Sequence, residues 1–154
     1  MRRDMLPLKK ILYPTDFSKP SYEALKVACE YAKQFSAELY IIHVVPVVPA
    51  VIAFTPSSRS FNVPLYQENL ESNTKEKLLK VVEENVPKEI QTQVIVVSGN
   101  AGDEIVRFAK EGKVDLIVIS SHGESGGHHY IFGCVAEKVV RHATCPVLTI
   151  PVLR

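Results

Sequence analysis

The run ELYIIHVV at positions 38–45 most constrains how this chain can fold. Its apolar, largely branched residues follow one another almost without interruption, instead of alternating with polar ones. That pattern belongs to a strand covered on both faces, as in a parallel sheet. Further strand-like runs, none longer, stand at 10–14, 90–97, 116–120 and 147–150.

Helical patterns separate these runs. After Ser18 and Pro20, a cap and a first-turn proline, Tyr22, Leu25, Ala28, Cys29, Ala32 and Phe35 recur at steps of three and four. Around 65–86 the pattern Leu70, Leu78, Leu79, Val82 among many charges predicts a largely exposed helix closed by Pro87. Asn100 with Asp103 opens a third helix, with Ile105, Val106, Phe108 and Ala109 on its apolar side and Gly112 as its stop. A fourth is expected over 133–142. Strands alternating with amphipathic helices select an α/β fold, a parallel sheet with helices on both faces joined by right-handed crossovers.

All 154 residues read as a single domain, because apolar residues are spread evenly and leave no place for a second core. Within it, 46–64 is a long loop, since Pro46, Pro49, Pro56 and Pro64 and an SSRS segment disturb any helix or strand there. At 46% hydrophobic and 23% charged, the chain buries a core without disulfides. Cys29, Cys134 and Cys145 form no CxxC motif or paired framework, which points to a reducing compartment, the cytoplasm. A formal net charge of +1 gives no footprint for nucleic acid. The most apolar stretch, 39–54, is too short and too broken by proline to span a membrane.

Open parallel sheets bind ligands beyond the carboxyl ends of their strands, where strand order reverses. Three segments leave that edge: PTDFS at 14–18, HVV at 43–45, and the glycine- and histidine-bearing stretch 120–134. In the last, SSHGESGG at 120–127 precedes Gly133 and Cys134 at the start of a helix. Glycines permit close backbone approach and free N–H groups at a helix start attract phosphate, although glycines also serve simple turns.

KILYPTD at 10–16, SHG at 121–123 and GCVAEKVVRHATCPVL at 133–148, in this order, resemble the universal stress protein family over nearly the whole chain. The resemblance implies a doubly wound five-stranded parallel sheet in three α/β/α layers, of Rossmann-like type, and a homodimer formed partly through the last strand. In one branch of that family it implies ATP, with magnesium, on a motif of G-x-x-G, nine residues, then G followed by Ser or Thr. The spacing is kept here from Gly123 through nine residues to Gly133, but Ser120 replaces the first glycine and Cys134 the hydroxyl residue. The implied binding residues are Pro14, Thr15, Asp16, Val44, Ser120, His122, Gly123, Gly133, Cys134 and Val135. Asp16 and Val44 would flank the adenosine; Gly123, Gly133 and the Cys134 backbone would lie near ribose and phosphates.

Two functions follow. One is an ATP-binding, dimeric stress-response module without robust catalysis, acting on a protein partner the sequence does not name. The other is a nucleotide-free interaction module whose site the changes at 120 and 134 have closed, with the apolar loop 47–54 as its partner surface. No catalytic residue is assigned: Ser121, His122 and Asp16 make no defensible triad, no G-K-[ST] ending is present, and no general base for ATP hydrolysis is identifiable. His122, His128, His129 and Cys134 match no zinc spacing, so no metal site is expected. His43 is read as a partly buried, hydrogen-bonded histidine without a role, and Cys145 as a small buried hydrophobe. Cys134, at a helix start, is a redox candidate.

Overall fold

The structure, a computed structural model, describes residue 4 and residues 6–49, 62–123 and 133–152. The elements run β1 (Lys10–Pro14), α1 (Lys19–Phe35), β2 (Glu38–Val45), α2 (Val63–Asn85), β3 (Thr92–Ser98), α3 (Ala101–Glu111), β4 (Leu116–Ser120), α4 (Cys134–His142) and β5 (Val147–Ile150). The five strands form one parallel sheet in the order β3-β2-β1-β4-β5. From β1 the chain winds outward to β2 and β3, then crosses to β4 and β5 on the other side. Strand order therefore reverses between β1 and β4.

Because successive strand side chains point to opposite faces, the central strands feed two cores. Ile11 and Tyr13 of β1, Leu39 and Ile41 of β2, and Leu116 and Val118 of β4 pack with Ala24, Leu25 and Ala28 of α1 and Leu78 and Val81 of α2. Leu12, Ile42, Ile117 and Ile119 pack on the other face with Ile105 and Ala109 of α3 and Ala136 and Val139 of α4. The near-continuous apolar runs are explained by this arrangement, since neither face of β1, β2 or β4 is left to water.

Helix starts follow local chemistry. Ser18, Asn62 and Asn100 each accept a hydrogen bond on their side chain from a backbone N–H in the first turn of α1, α2 and α3. Helix α2 begins at Val63, so residues 63 and 64, expected within a loop over 46–64, are helical instead, and residues 50–61 of that expected loop lie outside the described residues. Pro64 occupies the first turn, where its missing N–H costs nothing. On α2 the buried residues are Thr74, Leu78 and Val81, while Leu79, expected on the apolar side, is exposed. The third strand, expected over 90–97, runs from Thr92 to Ser98; the Ile90 N–H instead closes a turn on the Pro87 carbonyl at 3.0 Å.

Candidate functional site

Beyond the carboxyl ends of β1, β2 and β4 lies a cavity of about 640 Å³, walled by those strand ends and the starts of α3 and α4. It opens where strand order reverses, the position at which doubly wound sheets take ligands. Its volume is that of a small-molecule site. All ten residues expected to bind line it: Pro14, Thr15, Asp16, Val44, Ser120, His122, Gly123, Gly133, Cys134 and Val135. Ile42, Ala101, Ile105, Ile119, Ala136 and Glu137, which the sequence does not point to, complete the wall with His43 and Ser121, which lie in segments expected at this edge but outside the expected binding set. Ile42 and Ile119 stand in apolar strand runs that read only as core, and a strand end serves both purposes. His128 and His129 lie outside the described residues.

A buried hydroxyl network fixes the turn after β1. The Tyr13 hydroxyl donates to the Ser21 carbonyl at 2.8 Å and shares a bond with Ser21 Oγ at 2.6 Å, which in turn meets Thr15 Oγ1 at 2.7 Å. Burial pushes the Tyr13 phenol up to about 12, so it remains a donor. Thr15 Oγ1 also accepts the Phe17 N–H at 3.0 Å. This bond steadies Phe17 at a φ of 63°, which a bulky residue adopts only under constraint. The same turn presents Asp16, whose Oδ1 accepts the N–H of Ser18 at 3.0 Å as well as its hydroxyl.

His43 is part of the wall. Its Nδ1 lies 2.7 Å from the Thr15 carbonyl; a carbonyl only accepts, so Nδ1 carries the proton and Nε2 is an acceptor in the neutral ring. Burial lowers its pKa below the ordinary value, against the opposing pull of the Thr15 bond and Asp16. Phe17 lies across the imidazole with ring centroids 4.7 Å apart, and the Lys77 ammonium of α2 stands 4.0 Å from the Phe17 centroid.

The two departures from the glycine motif have distinct consequences. Ser120 is buried at the end of β4, and its hydroxyl donates to the His122 carbonyl at 2.9 Å, tying the turn together. Cys134 is exposed at the first position of α4, behind the Gly133 cap. That cap supplies no side-chain hydrogen bond. A β-carbon on Gly133 would meet only ordinary contacts, the nearest being the Ser121 oxygen at 3.5 Å, so the fold itself does not demand glycine there. Among the described residues no group of three His, Cys, Asp or Glu is placed to hold a metal ion, and no helix is long and apolar enough to cross a membrane.

A doubly wound parallel sheet, with a cavity at its switch point bounded by a turn bearing Asp16 and by a glycine-capped helix start, defines a Rossmann-like α/β protein. Residues 7–151 match the universal stress protein family, and the chain belongs to it. Universal stress protein MJ0531 of Methanocaldococcus jannaschii is 39% identical over 142 residues, covering 92% of this chain and 81% of that protein. The solved structure of the hypothetical protein MJ0577 superposes with a TM-score of 0.79 at 28% identity, over 96% of this chain and 98% of the other. A universal stress protein solved in complex with cAMP shares the fold, with a TM-score of 0.59 at 24% identity over 93% of this chain and 96% of that one.

Proposed function

We propose that this chain is a homodimeric stress-response module of the cytoplasm that binds an adenine nucleotide and works without robust catalysis. The observation that carries the reading is the space at the start of α4. The Gly133 cap adds no side chain to the cavity, and backbone N–H groups there have no capping partner from it. Such a helix start suits a phosphate, and the cavity behind it has room for a base and ribose. Neutral His43 and Val44 at the end of β2, with Asp16 beyond the neighbouring end of β1, would take the adenosine end. Gly123, Gly133 and the Cys134 backbone would take ribose and phosphate, with Pro14, Thr15, Ser120, His122 and Val135 forming the surrounding wall. Magnesium ATP is the first ligand to test; magnesium would offset the phosphate charge.

The dimer would form along β5, an outer strand whose four residues are only half-buried. An unpaired edge of this composition favours strand pairing. Ligand binding would change the surface offered to a partner protein.

The competing reading, a nucleotide-free interaction module, rests on the cysteine at 134, a weaker hydrogen-bond partner than a hydroxyl. Calorimetry of nucleotide-stripped protein with Mg-ATP separates the two, with mass analysis of any copurified small molecule. Micromolar binding or a copurified adenine nucleotide is the expected result. Absence of binding up to millimolar ligand would leave the interaction module.

A further inference from the structure

The end of β2 outruns the strands on either side of it. The register of β1 with β2 ends at Pro14 and Ile42, and that of β3 with β2 ends at Ser98 and Val45. One further bond runs from the Gly99 N–H to the Val45 carbonyl at 3.0 Å. Val44, which lines the cavity, thus stands beyond the pairing with β1 and one residue before the pairing with β3 stops.

A side chain of α2 holds the chain past that point. Gln67 Oε1 accepts the Val48 N–H at 3.0 Å, and Gln67 Nε2 donates to the Pro46 carbonyl at 3.3 Å. The two bonds bracket Val47 as the backbone of a parallel neighbour would, giving an N–H to the residue before it and taking one from the residue after it. Nε2 also donates to Ser98 Oγ at 3.0 Å, and the Ser98 hydroxyl donates in turn to the Glu71 carboxylate, one turn along α2 from Gln67. A backbone N–H only donates and a carbonyl only accepts, so these partners leave the Gln67 amide a single orientation.

We propose that Gln67 is a positioning residue for the nucleotide site: standing in for a strand at the end of β2, it holds Val44 where the adenosine end binds. The inference rests on the adenine-nucleotide reading above. Gln67 is not among the described residues that line the cavity, so it acts through the strand. Without its amide the end of β2 occupies the binding position only part of the time, and the apparent dissociation constant rises by the inverse of that fraction. The coupling is reciprocal: adenosine that needs the end of β2 in place also tightens the clamp on 46–48.

The test has two arms on the stripped, full-length protein. Calorimetry with adenosine compares the wild type with Gln67→Ala and with Gln91→Ala, which removes a side-chain bond to Glu38 at the other end of the same strand pair. Gln67→Ala should weaken adenosine about fivefold, and Gln91→Ala less than about twofold. The second arm needs no variant and stands even if Gln67→Ala does not fold: amide hydrogen exchange of the wild type by NMR, with and without saturating adenosine. Exchange of the Val48 N–H should slow at least about threefold more than that of the Val86 N–H, which bonds to the Val82 carbonyl at the far end of α2. Unchanged adenosine affinity in folded Gln67→Ala would overturn the proposal. A Val48 amide that adenosine protects no more than Val86 would overturn it as well, since it would leave Gln67 a merely structural clamp. Failure of adenosine and Mg-ATP alike to bind the wild type would instead remove the adenine-nucleotide reading, and this inference with it.

Discussion

The Asp16 carboxylate and the α-carbon of Gly123 are packed so closely that a β-carbon at position 123 would overlap Asp16 Oδ2. Asp16 yields little, because its other oxygen is held by the Ser18 N–H and hydroxyl. The contact joins the turn after β1 to the turn after β4 and so sets the width of the cavity where strand order reverses. Gly133, facing the same cavity, has room for a methyl group.

The two glycines should therefore respond differently to alanine. Gly123→Ala is expected to cost about 1–3 kcal/mol through overpacking, and Asp16→Ala in the same chain should recover part of that loss. Gly133→Ala should leave the denaturation midpoint within about 0.5 kcal/mol of the parent while weakening nucleotide binding. Urea unfolding of the three variants, with calorimetry on the last, checks both.

Ser21 is the hub of the buried hydroxyl network, meeting both Tyr13 and Thr15. Ser21→Ala leaves Thr15 Oγ1 with the Phe17 N–H as its remaining partner and should cost about 1–3 kcal/mol in urea unfolding. The Tyr13 bond to the residue 21 carbonyl survives the change, so the loss should stop short of global collapse.

Burial holds the His43 pKa below its ordinary value of 6.5, with Lys77 acting in the same direction and Asp16 and the Thr15 carbonyl opposing. The unfolded chain thus takes up this proton at a higher pH than the folded one does. Stability should fall as pH drops below about 6.5 and level off, for this group, once the folded ring also protonates. A His43→Gln variant should show a flatter stability profile between neutral pH and that point. Denaturant midpoints measured across the range provide the check.

The three thiols should separate in reactivity. Cys29 is buried, and desolvation raises its thiol to about 11, so it should react with Ellman's reagent only after unfolding. Exposed Cys134 should react in the native protein, ahead of partly buried Cys145. Saturating adenine nucleotide should slow the Cys134 reaction at least about threefold, since that residue lines the cavity. Cys134→Ser, restoring a hydroxyl, should strengthen nucleotide binding by a similar factor.

The sequence by itself determined the elements and their order. Apolar runs such as 38–45 mark strands because burial on both faces leaves no polar alternation. Ser18 and Asn100 mark helix starts because their side chains satisfy N–H groups that the helix cannot. It also marked both rims of the cavity, at Asp16 in the turn after an apolar run and at Gly123 and Gly133 in a glycine-bearing stretch before a helix; of the two glycines, close approach demands only Gly123.

Only the tertiary structure decided what depends on distant parts of the chain meeting. His43 reads as a partly buried, hydrogen-bonded histidine, but its partner is settled only when the parallel pairing of β1 with β2 carries it to the Thr15 carbonyl. Ile42 and Ile119 read as core, yet the same strand ends also floor the cavity. Glu137 reads as one charge on a surface helix until α4 turns its first residues toward the switch point. Pattern along the chain reports what each residue requires of its neighbours in sequence. The strand order, and with it the charge and shape of the cavity, follows from which faces pack together across the sheet.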